Sequence, residues 1–288
     1  MRRKSFFNGA KSSINYKYIR SIENKDVSKL SDISDIFTTS FKREVKVLDL
    51  SKWNVFNIED MANVFYRFEA LETLIISNWK TSKVKSVRCM LYGCKNLRNL
   101  DLSKWDMSNV KDMNGVFSHC ENLRRLDLSK WNVSKVETME SLFSGCVSLQ
   151  ALDISKWDVS HVKDMTFTFD FCHSLRVLDV SNWDVSNVSC MQNMFSNCDN
   201  LEELDLSKWN VSKVKSISFM FCCCRKLKKL NLANWDLSCL ELSNGTFISC
   251  VNLQALNILN WKYYKPNLDP FTGCNKLNII DALLFTLD

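Results

Sequence analysis

Acidic side chains recur along this chain at a fixed spacing, and carboxylates so arranged could bind a divalent cation or a basic peptide. They are Asp49, Asp101, Asp127, Asp153, Asp179 and Asp205, each separated from the next by one or two periods of twenty-six positions. A serine follows each of them after two residues, and a lysine follows most of these serines directly. Like charges on adjacent strands repel, so we interpret the pattern as a self-compensating surface of Asp, Ser and Lys. That surface is still the best candidate to meet a partner.

The 13 cysteines could form disulfides or bind a metal, and most of them follow the same spacing. Cys94, Cys120, Cys146, Cys172, Cys198, Cys224 and Cys250 are one period apart. No C-x-x-C motif occurs, and His119, His161 and His173 share no common spacing with the thiols, which disfavours zinc. We therefore expect buried free thiols, no metal site and no cofactor. The cysteines outside this register could react, and the Cys222-Cys223-Cys224 run is the strongest candidate for redox reactivity; the others are Cys89, Cys190 and Cys239.

The nine tryptophans, from Trp53 to Trp261, also lie one period apart without exception. Stacked aromatic rings can bind sugars or bases, but a ring that recurs in every unit is better explained as structural. Because an indole donates a single N–H, we expect its volume to have replaced most of the polar bonding that is usual at this position of a repeat.

The sequence contains none of the common catalytic motifs. The phosphate-binding patterns G-x-x-x-x-G-K and G-x-G-x-x-G are absent, as are G-x-S-x-G and H-E-x-x-H. Carboxylates and serines are abundant only as members of the repeat. We therefore predict that the protein is not an enzyme.

One unit, aligned on its tryptophan, predicts a strand followed by a short helical segment. Leu123–Cys146 reads LRRLDLSKWNVSKVETMESLFSGC. Its leucines alternate with polar residues, as in a strand whose leucines point inward and whose Asp127 points outward. Steps of three and four join Val136, Met139, Phe143 and Cys146, which predicts one and a half to two helical turns, with Ser134 as the N-cap. Ten strand-like segments begin at Val45, Leu71, Leu97, Leu123, Leu149, Leu175, Leu201, Leu227, Leu253 and Leu277.

A period of this length indicates a solenoid, because propeller blades take about 40–45 residues. We predict an α/β repeat solenoid with one parallel β-sheet and short helices or turns on the convex side. Residues 1–21 form a basic leader or cap, and residues 22–288 form one solenoid. Within it we expect a degenerate first repeat at 22–44, regular repeats at 45–262 and a shortened C-terminal cap at 263–288.

The net charge of +6 lies entirely within the segment 1–20, which holds six basic residues and no acidic one. The rest of the chain is neutral, so the solenoid lacks the basic footprint of a nucleic-acid binder. An alternative is association with nucleic acid or an anionic membrane through the basic, aromatic N-terminus, at Arg2, Arg3, Lys4, Phe6 and Phe7. No transmembrane segment or signal peptide is evident, which favours an intracellular location.

The repeat resembles that of BspA-like leucine-rich repeat proteins, which include the mycoplasma lipoprotein-type repeats of unknown function. The resemblance is clearest at Asp179–Leu201, DVSNWDVSNVSCMQNMFSNCDNL, and covers roughly residues 22–288. It implies a right-handed array that acts as a binding scaffold, with no particular ligand. Because many such proteins act in adhesion at bacterial surfaces, a cell-surface adhesin is a second alternative; the missing leader and anchor argue against it.

Our leading hypothesis is a non-enzymatic scaffold that binds an unidentified protein partner through the concave strand face. Specificity must come from outward positions at which the repeats differ from one another. The candidate partner-binding residues are Thr73, Ile75, Asn99, Asp101, Arg125, Asp127, Asp153, Val177, Asp179, Glu203, Asp205, Lys229 and Asn231.

Overall fold

The computed structural model of the 288-residue chain describes residues 16–30, 32–261 and 269–277. Its N-terminal part contains helix α1 (Tyr16–Glu23), a 3₁₀ turn (Ser34–Ile36) and helix α2 (Thr39–Glu44). Helix α1 spans the boundary at residue 21 that we predicted between leader and solenoid. The basic, aromatic residues of the alternative N-terminal site lie outside the described residues.

The N-terminal helices cover the first repeat. The hydroxyl of Thr38 caps helix α2 by accepting the backbone N–H of Phe41 at 3.3 Å. Phe37 stacks on Trp53 with ring centroids 5.9 Å apart, and the Trp53 indole donates to the carbonyl of Ile22 at 3.0 Å. Since a single repeat cannot bury its own apolar edge, these aromatic contacts provide the cover that the first repeat needs.

Within the described residues, six short strands form two parallel three-stranded sheets of one strand per repeat, with matching residues of neighbouring repeats in register. The first sheet contains β1 (Val47–Asp49), β2 (Thr73–Ile75) and β3 (Asn99–Leu100). The second contains β4 (Glu203–Asp205), β5 (Lys229–Asn231) and β6 (Ala255–Asn257).

The prediction of one continuous ten-stranded sheet is therefore wrong for the described residues. The segments that begin at Leu123, Leu149 and Leu175 pair only through isolated bridges, from Arg125 to Ala151 and from Ala151 to Val177. The tenth segment, which starts at Leu277, lies almost wholly outside the described residues.

Regular strand pairing is reduced to isolated bridges across the repeats in which successive aspartates lie opposite one another. Regular pairing includes the positions of Asp49 opposite Ile75, Asp205 opposite Asn231 and Asn231 opposite Asn257. None of the six strands lies in the middle of the run in which every repeat carries a carboxylate, Asp101, Asp127, Asp153, Asp179 and Asp205. Like charges directly opposite each other destabilise a pair of strands, so the carboxylates of this run disfavour regular pairing.

The second half of each unit, which we call the turn segment, is a chain of tight turns, so of the predicted helices or turns the structure has turns. Ser141 and Gly145 have φ of 56° and 71°, which no α-helix contains. The N–H groups of Met139, Ser141, Phe143 and Gly145 donate to carbonyls of the next repeat, at Asp164, Thr166, Thr168 and Asp170. The intervening N–H groups donate three residues back, as Leu142 does to Met139. Ser134 caps no helix; its N–H donates to the side chain of Asn132.

The core is one continuous cluster built from the same repeat positions in successive units. Phe117, Phe143, Phe169, Phe195, Phe221 and Phe247 are fully buried, and neighbouring rings stack at centroid distances of 5.4–5.7 Å. The apolar residues of the turn segment are thus buried as the sequence predicts, although in turns rather than in a helix. The result is a leucine-rich-repeat-like solenoid with parallel strands on one side.

Candidate functional site

The candidate site is the strand face, which we define as the side chains at the third and fifth positions of each unit. It runs from Val47 and Asp49 to Ala255 and Asn257, while the leucines between these positions point into the core. All 13 candidate residues lie on this face, and all are exposed or half-buried. The alternation follows from the strand geometry, since successive side chains point to opposite sides.

A shallow groove of about 570 Å³ lies over the second sheet. Its floor contains Leu204 and Leu230, and its lining includes five of the candidate residues, Asp179, Glu203, Asp205, Lys229 and Asn231. Lys229 forms an ion pair with Glu203 at 2.7 Å within the groove. The carboxylates of Asp179 and Asp205 thus lie at one end, and the amides of Asn231 and Asn257 lie towards the other.

A smaller groove of about 380 Å³ lies over the first sheet. It brings together Thr73, Ile75, Asn99 and Asp101, and the Asn99 amide donates to the Thr73 hydroxyl at 3.1 Å. Ile75 is 37% exposed at a position where most repeats carry an aspartate. This groove therefore offers an apolar side chain where the other offers an acid.

Four candidate residues lie on the segment between the grooves: Arg125, Asp127, Asp153 and Val177. All four are exposed, and Val177 has 71% of its surface open to solvent. An isolated aliphatic side chain with that exposure, among carboxylates, contributes nothing to the core. The grooves also use Lys208, one of the predicted lysines of the Asp, Ser and Lys surface, and Arg98, which the sequence analysis missed because it lies beside the positions that it compared.

The aspartates of the strand face are held by the serines that follow them. The Ser103 and Ser129 hydroxyls donate to Asp101 and Asp127, respectively, both at 2.7 Å. Hydrogen bonds from such serines hold the pKa below the usual carboxyl range, for Asp101, Asp127, Asp179 and Asp205. The Asp–Ser compensation that we predicted is thus present.

The lysines act differently from the prediction. In the described part of the chain, no ion pair joins a strand-face aspartate to a lysine that follows its serine. Lys208 donates instead to the side chain of Asn182 at 3.1 Å. The ion pairs between successive repeats use other positions, for example Lys163 with Glu137 at 2.8 Å and Lys228 with Glu202 at 2.7 Å.

The tryptophans keep the polar bonding that we expected their volume to replace. Each indole N–H from Trp53 to Trp261 donates to a buried carbonyl of the preceding repeat, as Trp157 does to Leu128 at 3.2 Å. The register cysteines do the same with their thiols, as Cys146 does to Phe117 at 3.1 Å. Both residue types therefore tie repeats together by hydrogen bonds as well as by packing.

The thiols are free throughout the described residues, as the sequence analysis expected. Burial raises the pKa of Cys94 and of Cys146 to about 12, so these thiols stay protonated. Among the residues that the structure describes, no group of three or more His, Cys, Asp or Glu side chains could hold a metal ion. Across the same residues, no helix has the length and apolar character needed to cross a membrane.

The sequence analysis also missed two positions per repeat with positive φ, in the turn segment. One includes Gly115, Ser141 and Gly245, and the other includes Gly93, Gly145 and Gly273. The signal was present in the sequence, because five of the six glycines of the chain lie at these two positions.

Solved structures similar to this chain include three bacterial leucine-rich repeat proteins. That of T. pallidum is 23% identical over 59% of this chain and 72% of its own, with a TM-score of 0.41. That of Bacteroides ovatus is 18% identical over 81% and 69%, with a TM-score of 0.37. A leucine-rich cell surface protein of Faecalibacterium prausnitzii is 15% identical over 82% and 78%, with a TM-score of 0.39.

The chain spans 37% of the TLR13 chain in a complex with ssRNA13, to which it is 18% identical over 87% of its own length, with a TM-score of 0.34. No curated protein matches the sequence. One family model, described as "Mycoplasma protein of unknown function, DUF285", matches residues 3–125, 33–151, 68–177 and 141–261. These overlapping matches cover most of the chain, which therefore belongs to this family.

Proposed function

We propose that the protein is a non-enzymatic scaffold that binds a protein partner through its strand face. The observation that carries the proposal is the position of the two grooves. Both lie on the strand face, one over each sheet, and both are lined by positions at which the repeats differ. The buried residues recur from unit to unit and cannot distinguish partners, whereas the strand-face residues differ between repeats.

The chemistry of the strand face supports a protein ligand. Apolar side chains stand among charged ones, at Ile75 and Val177, with 37% and 71% of their surfaces exposed. The carboxylates of Asp101, Asp127 and Asp179 stay ionised because hydrogen bonds from the serines that follow them lower their pKa. Such a surface suits a partner that presents both apolar and basic side chains, with the apolar contacts supplying affinity and the charges supplying orientation.

The test is capture of partners from a lysate of the source organism, with the full chain as bait. A double variant, Arg125→Glu with Val177→Asp, alters the exposed centre of the strand face without touching the core. We expect it to lose the partners that the wild-type chain retains, because a charge is reversed and an exposed apolar contact is lost.

A matched control changes the same chemistry elsewhere on the surface. Lys135→Glu reverses an exposed charge, and Leu242→Asp replaces an aliphatic side chain that is 46% exposed at the turn segment. This control should retain the partners. The proposal is wrong if the strand-face variant captures the same proteins as the wild type, or if only the control loses them.

A further inference from the structure

Two adjacent cysteines in the turn segment have no role in the core. Cys224 points inward and donates to the carbonyl of Phe195 at 3.0 Å. Cys222 and Cys223, just before it, are half-buried, and their sulfurs lie 3.6 Å apart. The run of three cysteines is thus divided into one structural thiol and an accessible vicinal pair.

The backbone of the turn segment explains why neighbouring side chains meet here. Cys223 occupies one of the positive-φ positions, with φ of 59°. At the same two positions of the preceding repeat, the Asn197 amide donates to the hydroxyl of Ser196 at 2.8 Å. In extended backbone adjacent side chains point apart, so it is the turn that pairs the two thiols.

The geometry disfavours a disulfide between the pair. Adjacent Cα atoms are about 3.8 Å apart across a trans peptide, below the ~4.4–6.8 Å that disulfides usually span. A single atom bound by both sulfurs is a better match, because its two bonds bridge a gap that a direct S–S bond of about 2.05 Å would have to close. The 3.6 Å separation of the thiols leaves room for one such bridging atom.

The number of donors selects the chemical class of the ligand. Zinc prefers four protein ligands at a structural site, and the described residues contain no cluster of three or more potential ligands. A monosubstituted trivalent arsenical, by contrast, needs only two sulfur donors because its third valence carries the organic group.

We propose that Cys222 and Cys223 form a vicinal dithiol site for monosubstituted trivalent arsenicals. In the reaction R–As=O condenses with both thiols: two S–H bonds break, two As–S bonds form, and the arsenical oxygen leaves with the two protons as water. Arsenic stays trivalent and both sulfurs stay in the thiolate oxidation state, so no oxidant or reductant takes part.

The experiment uses the full-length reduced chain and phenylarsine oxide as the probe. Intact-mass analysis should show one adduct per chain, whose mass is that of the chain plus phenylarsine oxide minus one water. The adduct should survive an excess of a monothiol and be removed by a small dithiol. Because chelation by two linked donors gains about 10²–10⁴ in affinity, Cys222→Ser and Cys223→Ser should each weaken binding by about 100-fold.

The repeat array itself supplies the controls for folding. Serine is the natural residue at the Cys222 position in the unit with Ser196, and at the Cys223 position in the unit with Ser249. Both variants should therefore fold, which circular dichroism checks. Cys239→Ser removes an exposed thiol and should leave the adduct unchanged.

Two results would overturn the assignment. One is attachment at other cysteines, shown by an adduct that persists in both Cys222→Ser and Cys223→Ser or that is lost instead with Cys274→Ser. Cys274 is a half-buried thiol near Cys250. The other is a wild-type adduct that an excess of monothiol displaces, which would mean attachment through single sulfurs.

Discussion

At the scale of the residue, hydrogen bonds from unusual donors hold each repeat to the one before it. The indole of Trp157 reaches the carbonyl of Leu128 at 3.2 Å, and this carbonyl also accepts the N–H of Trp131 at 3.0 Å. The rings stack as well, with Trp157 and Trp183 at a centroid distance of 6.5 Å. One residue type therefore supplies both the volume of the core and the polar link between units.

Trp157→Phe separates these two contributions, because phenylalanine keeps an aromatic ring but donates no hydrogen bond. We expect the free energy of unfolding to fall by about 1–3 kcal/mol, from a lost hydrogen bond of about 1 kcal/mol and a smaller ring. Trp157→Ala should cost about 3–5 kcal/mol. Urea unfolding monitored by circular dichroism measures both. Unchanged stability of Trp157→Phe would show that the indole N–H contributes nothing.

Asp170 is a residue whose ionisation opposes folding. Its side chain is only 6% exposed, and burial raises the pKa to about 6 despite hydrogen bonds from Asn197 and Ser196 and the nearby His173. Because this pKa lies above the unfolded value of about 3.9, the native state binds the proton more tightly. The resulting stabilisation is complete below about pH 4 and is lost as the pH rises through 6.

Asp170→Asn should remove this loss. Relative to wild type, its free energy of unfolding should rise by up to about 3 kcal/mol between pH 4 and pH 8. Urea unfolding across this range measures the difference. Asp106→Asn should show the opposite trend, since hydrogen bonds from Ser108 lower the pKa of Asp106. Parallel pH profiles for Asp170→Asn and wild type would contradict the explanation.

At the scale of the element, repulsion between carboxylates disfavours regular strand pairing. In the turns, side chains of the preceding repeat restrict which residues fit. Regular pairing ends at Asn99–Leu100, just before Asp101, and resumes at Glu203–Asp205 opposite Lys229–Asn231. In the turns, a bulky side chain at a positive-φ position leans over a glycine of the next repeat. A Cβ on Gly245 would lie 2.5 Å from the Phe219 ring.

Asp153→Asn tests whether repulsion between aspartates on neighbouring repeats destabilises the strand face, because Asp153 lies between Asp127 and Asp179. An asparagine can replace the acceptor, as Asn257 does when its side chain accepts the N–H of Leu259 at 3.1 Å. Removing the repulsion should raise the free energy of unfolding by about 0.2–1 kcal/mol, with a smaller gain at high salt because salt screens the wild type. Asp106→Asn, which has no aspartate opposite it, should show no such salt dependence. Equal salt effects in the two variants would argue against repulsion.

Gly245→Ala tests the contact between turns. The φ of 63° costs alanine about 1–2 kcal/mol, and the overlap with Phe219 adds to this. Gly115→Ala is the control, since its φ is 61° but its Cβ would be 3.1 Å from the Cys89 sulfur. We expect Gly245→Ala to be the more destabilising in urea unfolding. The double variant with Phe219→Ala should lose less than the sum of the single variants; strict additivity would refute the contact.

The sequence predicts the burial of these elements better than their secondary structure, because burial follows the repeat period and secondary structure depends on contacts between repeats. Burial follows period, so the buried state of Val136, Met139, Phe143 and Cys146 was predictable. Their secondary structure was not, because tight turns that donate N–H groups to the next repeat produce the same steps of three and four as a helix. The strand ends depend on which residues lie opposite each other, a relation between repeats rather than within one.

At the scale of the whole molecule, a uniform core supports a variable surface. The same buried positions recur in one cluster through the described residues, while the strand face changes from Ile75 to Asp153 to Asn231 at a single position of the unit. All 13 candidate residues could be placed on that face from the sequence, since they follow from the strand alternation. The positions of the grooves could not be predicted from the sequence, because they depend on where the two sheets form.

The most direct test of strand-face recognition is hydroxyl-radical footprinting of the chain alone and in complex with a captured partner. We predict that binding protects Ile75 and Val177, the exposed aliphatic side chains among the candidate residues of the strand face, by several-fold. Phe171 and Phe219, which are 46% and 38% exposed in the turn segment, should keep their reactivity. Protection of the two phenylalanines with no change at Ile75 and Val177 would contradict the account.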